Sequence, residues 1–357
     1  MTRNFLLTIL FSMFALNAFA QSGRVKPIET PSPKSEMPRP SVVYMPTQTV
    51  IVKPSPTASA TSKTSEEADD IIKVDSALVP IPVSVSDAGG QVVSNLKLED
   101  FALQIDGRAA EISEISRSDT PVRLALLFDN SSSVTIAREF EIKAALRFFR
   151  RVLRPSKDLA ALFSVSTVTR LEQPLTKDVS QITQAIENFQ TPQGATALLD
   201  GIIKAAEYLR DADGRRVIVI VSDGEDTISD ATFEETLKAA QAANCQVYVV
   251  KTKDFENFKQ TGQRVGNANI RALAAERRMQ DITAQTGGAV YSPIDERELD
   301  QAFNQISAEL AQQYILSYYP EDKTADKGEF RTISLAVKSR QNLTVRTRKG
   351  YYIPKRN

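Results

Sequence analysis

Two near-continuous apolar runs constrain this chain most: VRLALLF at 122–128, and VIVIV within RRVIVIVSD at 215–223. A strand that is apolar along its whole length needs cover on both faces, as strands of a parallel sheet have. Around these runs the period turns helical. A helix is expected over about 136–153, with Phe140, Ala144 and Phe148 along one face. Others are expected over 179–189, 197–209, 232–243 and 270–285. A last helix starts near Glu296, where Leu299, Phe303, Ile306 and Leu310 repeat at offsets of 4, 7 and 11. DLAALFSVS, TRLEQPL, CQVYVV and AVYS supply further strands, and residues 253–267 read as a polar excursion. This alternation predicts an α/β fold over 120–312, a doubly wound and mostly parallel sheet flanked by helices.

The flanks read differently. Residues 71–119 are dense in β-branched residues, with turn signals at DAGG (87–90) and Asp106-Gly107. Residues 313–357 return to strands in YILSYYP, FRTISLAVK and LTVRTRKGYYI. Each flank alone is short of strands, so the two are expected to build one β-rich module, a sandwich completed from both sides, with separate β appendages as the alternative. Tyr314, Tyr318, Tyr319, Tyr351 and Tyr352 are read as packing within and around it. Residues 21–70 are rich in Pro, Ser and Thr without period, as expected of a disordered tether. Residues 1–20 combine Arg3, a short apolar run and Ala18-Phe19-Ala20, the pattern of a cleaved signal peptide. The chain is therefore expected to be exported, to the periplasm or the exterior, with no stable membrane span after cleavage.

Composition removes whole classes of chemistry. Basic and acidic residues number 44 each, so no net positive field invites nucleic acid. The chain has no histidine, which removes Ser-His-Asp and Cys-His catalysis and imidazole zinc sites. The single cysteine, Cys245, permits no intrachain disulfide and sits in an apolar run, where it reads as a small buried hydrophobe.

The informative residues stand where strands end. The run at 122–128 leads into Asp129-Asn130-Ser131-Ser132-Ser133, which places one carboxylate and two hydroxyls at alternate positions before a helix. Such oxygens suit a hard divalent cation, although the same residues also cap helices. Thr196 precedes another helix, and the second apolar run ends in Ser222-Asp223-Gly224-Glu225-Asp226. Parallel strands deliver their carboxyl ends to one edge, so Asp129, Ser131, Ser133, Thr196 and Asp223 can converge there. Asp226 and Glu225 read as rim or orienting groups, and Asp200 as a structural carboxylate.

Asp129-x-Ser-x-Ser, Thr196 and the Asp223-Gly-x-Asp strand end resemble the metal-ion-dependent adhesion site of von Willebrand factor type A domains, over about residues 120–312. The flanking VPIPVSVSDAGG, LKLEDFALQIDG and KGYYIP resemble segments of a bacterial exported subgroup of that family. The resemblance implies that Ser131, Ser133 and Thr196 hold one divalent cation directly. Asp129 and Asp223 would do so directly or through water. Mg2+ is the first choice, with Mn2+ or Ca2+ able to use the same oxygens. It further implies a binding module, not an enzyme, that grips a Glu or Asp of a protein partner in adhesion or assembly. The alternatives are a scaffold in which the ion only stabilises the fold and, less favoured, a metal-assisted hydrolase. Against the hydrolase stand the lack of a second ligand set and of a GxxxxGK loop.

Overall fold

The computed structural model describes residues 78–117, 120–132, 138–154, 156–263, 270–320 and 328–353. The leader and tether expected over 1–70 lie outside them, as does Ser133. The first flank supplies β1 (Val79–Ser86), β2 (Phe101–Ile105), β3 (Arg108–Ala110) and β4 (Glu114–Arg117). Then come β5 (Val122–Asp129), α1 (Arg138–Val152), β6 (Leu159–Val165), β7 (Arg170–Thr176), α2 (Val179–Glu187) and α3 (Leu198–Leu209). They are followed by β8 (Arg215–Ser222), α4 (Phe233–Ala242), β9 (Cys245–Lys251), α5 (Lys253–Thr261), α6 (Ile270–Thr286), β10 (Val290–Tyr291) and α7 (Glu296–Gln312). The second flank gives β11 (Tyr314–Tyr318), β12 (Phe330–Val337), β13 (Thr344–Thr347) and β14 (Gly350–Tyr352).

The central sheet has the order β10-β9-β8-β5-β6-β7, and every pairing in it is parallel except β6 with β7. The expected doubly wound α/β architecture is therefore present. Because side chains alternate along a strand, Leu124, Leu126 and Phe128 enter one core with Phe148, Phe303 and Ile306. Ala125 and Leu127 enter the other, with Ile202, Ala205, Met279 and Ile282. Both faces of β5 and β8 are thus covered, which is why their sequences carry no polar alternation. The antiparallel strand β7 lies at the sheet's edge, where Pro174 removes no needed central hydrogen bond and the register against β6 shifts.

One expectation fails. Within the supposed polar excursion, Lys253–Thr261 is a helix, α5. Its anchor is Phe255, which stacks on Phe140 of α1 with ring centroids 3.6 Å apart and planes 10° off parallel. Gly262, at φ 69°, then ends the helix in the left-handed conformation that a side chain disfavours. Helical period is weak here because one aromatic does most of the docking. Cys245 is buried as expected, and burial pushes its thiol up to about 12, so it stays protonated and unreactive. Among the described residues no helix is long and apolar enough to cross a membrane.

The flanking strands form two antiparallel sheets, β13-β1-β11-β4 and β14-β12-β2-β3. Each mixes strands from both flanks, and the two share one core that includes Ile81, Val83, Phe101, Leu103, Leu316, Tyr318, Ile333 and Tyr351. Tyr314, Tyr318 and Tyr351 are core residues, whereas Tyr319 is 53% exposed. This module meets the α/β domain through buried polar contacts. Arg215, at the start of β8, donates to Gln313 Oε1 at 2.7 Å, and Gln313 donates to Ser84 Oγ of β1 at 3.0 Å. Glu309 of α7 accepts from the hydroxyls of Tyr248 and Tyr291, each at 3.1 Å, and pairs with Arg346 of β13.

Candidate metal centre

Strand register builds the site. β5 and β8 are neighbours, with Phe128 opposite Val221, so Asp129 and Ser222 emerge side by side at the carboxyl edge. Ser222 Oγ donates to Asp129 Oδ2 at 2.5 Å, and Ser131 N donates to Oδ1 at 2.9 Å. Asp223 follows directly. Its Oδ1 accepts Glu225 N at 3.0 Å, a reversal made possible by Gly224 at φ 83°. Asp223 Oδ2 is buried and has no hydrogen-bond partner.

The Thr196 loop is brought in by hydrogen bonds from two sides. Ser132 Oγ donates to Gly194 O at 2.8 Å, and Gln193 N to Asn130 O at 3.1 Å. Thr196 N donates to Thr227 Oγ1 at 2.9 Å, and Thr196 O accepts Thr227 N at 2.9 Å. Asp226, read from the sequence as a rim group, caps α3 from a separate loop: its Oδ1 accepts Leu198 N at 2.8 Å and Leu199 N at 3.1 Å. It supplies what Ala197 at the helix start cannot. Asp200 is structural, accepting Asp230 N and Ala231 N at 3.1 and 3.0 Å. Asp129, Ser131, Thr196 and Asp223 therefore lie on three interlocked loops at one edge, all at most 3% exposed.

Charge at this edge is unbalanced. Burial, reinforced by the Asp223 carboxylate, pushes Asp129 up to about 6 against the hydrogen bonds from Ser222 and Ser131. Two further carboxylates stand behind the site, neither foreseen from sequence. Glu141 of α1 is fully buried with both oxygens unpartnered, and burial drives it well above the usual carboxylate range despite the nearby Thr252 hydroxyl. Glu256 of α5 is 3% exposed; burial raises it to about 7 although Lys253 lies 3.4 Å from one oxygen. Glu141 did leave a sequence signal, since it interrupts the buried stripe of Ala145, Phe148 and Val152 on α1. Glu256 left none, because α5 itself went unread.

These features fit a cation. An orphaned buried carboxylate oxygen, a second carboxylate beside it and nearby hydroxyls are hard-oxygen donors with no cationic side chain among the groups that shift Asp129. Among the described residues no group of three or more Asp, Glu, His or Cys side chains is placed to hold a metal ion. The set here has two carboxylates and depends on hydroxyls for the rest.

A doubly wound sheet with oxygen side chains gathered at its carboxyl edge defines the class of domain. Residues 124–225, within the α/β unit, match the family model of the von Willebrand factor type A domain. Among solved structures, the PilB minor pilin from Streptococcus sanguinis is similar at 14% identity and a TM-score of 0.41, covering 57% of this chain. This chain spans 64% of that pilin. A von Willebrand factor type A protein from Catenulispora acidiphila is similar at 10% identity and a TM-score of 0.43, with 79% of this chain and 76% of that one covered. BatB from Bacteroides thetaiotaomicron is similar at 16% identity and a TM-score of 0.41, with coverage of 53% and 98%. No curated protein matches the chain.

Proposed function

We propose that this domain holds one divalent cation, Mg2+ in the first instance, at Asp129, Ser131, Ser133, Thr196 and Asp223. Through it the domain grips a Glu or Asp carboxylate of a protein partner. The leader-like residues 1–20 are the reason to put that encounter in the periplasm or outside the cell. The observation that carries the proposal is Asp223 Oδ2, an acidic oxygen buried beside Asp129 without a partner. When bound, the ion supplies residual positive charge and a directed position for an anionic oxygen.

The chain's own groups do the rest. Ser222 and the Ser131 N–H fix the Asp129 carboxylate, while Glu225 N fixes one oxygen of Asp223 and leaves the other for a ligand. Thr227 holds the Thr196 backbone in place from behind. Among the described residues no second ligand set of the kind two-metal hydrolysis needs accompanies these groups, and the reading is a binding module.

Calorimetry of the full chain with Mg2+ tests the first half, with Asp129→Ala and Asp223→Ala expected to abolish the heat. Retention of the chain on an immobilised glutamate-bearing peptide, with and without EDTA, tests the second. Absence of Mg2+ binding at millimolar concentration rejects the centre. Mg2+ binding that stabilises the fold without EDTA-sensitive retention supports the scaffold alternative instead.

A further inference from the structure

Next to the candidate centre lies a polar cleft of about 150 Å3, lined chiefly by Asn130, Ser164, Arg170, Glu172, Gln190 and Gln193. We infer that it is a second recognition subsite, which takes a neutral side-chain carboxamide, an Asn or Gln, from the bound partner. The inference rests on the proposed function for the partner being a protein; the cleft itself does not require the ion.

Its size sets one limit. A cavity of this volume accommodates a group about as large as benzene, so one side-chain end enters and a whole peptide turn does not. Its chemistry sets another. Arg170 and Glu172 both belong to β7 and both line the cleft, where Ser164, the register partner of Arg170, donates to Glu172. No hydrogen bond or ion pair joins them, and Arg170 has no partner among the described residues. Glu172 accepts the Ser164 hydroxyl on Oε1, which leaves Oε2 for a ligand. The cleft thus offers a strong donor and a strong acceptor close together. A carboxamide answers both, its carbonyl toward Arg170 and its NH2 toward Glu172. A carboxylate would meet Glu172 and an ammonium would meet Arg170, while an apolar group would leave both without a partner. Among the described residues no aromatic ring lines the cleft, so a ligand that binds by stacking finds no platform there.

The wall toward the centre is preorganised. Asn130 is 7% exposed and follows Asp129 directly. Its Nδ2 donates to Gln190 O at 3.2 Å, its carbonyl accepts Gln193 N at 3.1 Å, and its Oδ1 accepts from Arg138. Arg138 also donates to Gln190 O at 2.9 Å, tying α1 to the same wall. A partner side chain seated in the cleft therefore sits one residue, along the chain, from the carboxylate proposed to hold the ion.

The test uses the full chain, isotope-labelled and free of metal, titrated with N-acetyl-L-glutamine amide and followed by side-chain amide NMR signals. Saturable shifts confined to Asn130, Asn188, Gln190 and Gln193 are expected. N-acetyl-L-leucine amide should give none, and affinity for the glutamine probe should fall at least tenfold in an Arg170→Ala, Glu172→Ala double variant. Equal responses to the two probes, or no saturable shift, overturn the inference whether or not the double variant folds. Mg2+ titrated separately keeps the two ideas apart. Binding of Mg2+ without the glutamine probe rejects the subsite alone, and the reverse result rejects the metal centre alone.

Discussion

The two ends of the central sheet bury acidic groups to the same depth and treat them in opposite ways. At the amino edge Asp158, 1% exposed, accepts Val122 N and the backbone and guanidinium of Arg154. Burial alone would raise it, yet the Arg154 side chain and the two backbone N–H groups hold it below the usual carboxylate range. On α7, Glu309, 5% exposed, has two tyrosine hydroxyls and Arg346 around it. At the carboxyl edge Asp223, Glu141 and Glu256 are 3%, 0% and 3% exposed, and each keeps at least one oxygen without a partner. A buried charge left unanswered opposes folding, and proteins retain such groups mainly where a ligand completes them. The amino edge answers its buried acids from within the chain, whereas the carboxyl edge leaves buried carboxylate oxygens unanswered.

Four predictions sharpen that contrast, in falling order of effect. Glu309→Ala leaves the part-buried Arg346 and two tyrosine hydroxyls without their carboxylate and is expected to destabilise the chain by about 3 kcal/mol in urea unfolding. Its Mg2+ affinity should be unchanged; a loss of affinity would merge the two ends into one system. Mg2+ at a hundredfold above its dissociation constant is expected to stabilise the wild-type chain by about 2.7 kcal/mol, read as a shift in unfolding midpoint. The same addition should leave Asp129→Ala unmoved.

The third prediction concerns pH in the metal-free chain. Glu256 has a folded pKa raised from 4.5 to about 7, so its contribution is present below pH 4.5 and is lost as pH rises through about 7. Glu256→Gln should flatten that decline, by up to about 2 kcal/mol over the window. Stability that rises with pH across the same window would contradict the assignment. The smallest effect is the most specific. Asp223→Asn relieves repulsion with Asp129 and should raise metal-free stability by about 1 kcal/mol while abolishing the response to Mg2+. A variant that lowers stability in both conditions would show Asp223 to be an ordinary structural carboxylate.

What the sequence disclosed follows the same division. Strands β5 and β8 were legible because two-sided burial writes an apolar run. The shared edge of Asp129, Thr196 and Asp223 followed from parallel topology, since residues far apart in the chain share an edge when their strands point the same way. Helix α5 was not legible, because Phe255 finds its support in Phe140, more than a hundred positions earlier. The cap that Asp226 provides for α3 was hidden for a like reason, as the helix it serves begins nearly thirty residues before it. Local pattern reports what an element needs from its own residues and is silent on what a distant loop lends it.

The mixed parentage of the β sandwich has a consequence for the order of folding. Val79 pairs with Tyr318, so that ladder closes a loop containing the whole α/β domain. Such closure is slow in an open chain, since its entropy must be lost before any contact rewards it. A folded α/β domain removes most of that penalty, because Arg117 just before it and Tyr314 just after it are register partners in β4 and β11. The α/β domain is thus expected to act as the template on which its own pedestal is assembled, with the sandwich forming after it, an order that pulsed hydrogen exchange during refolding would check.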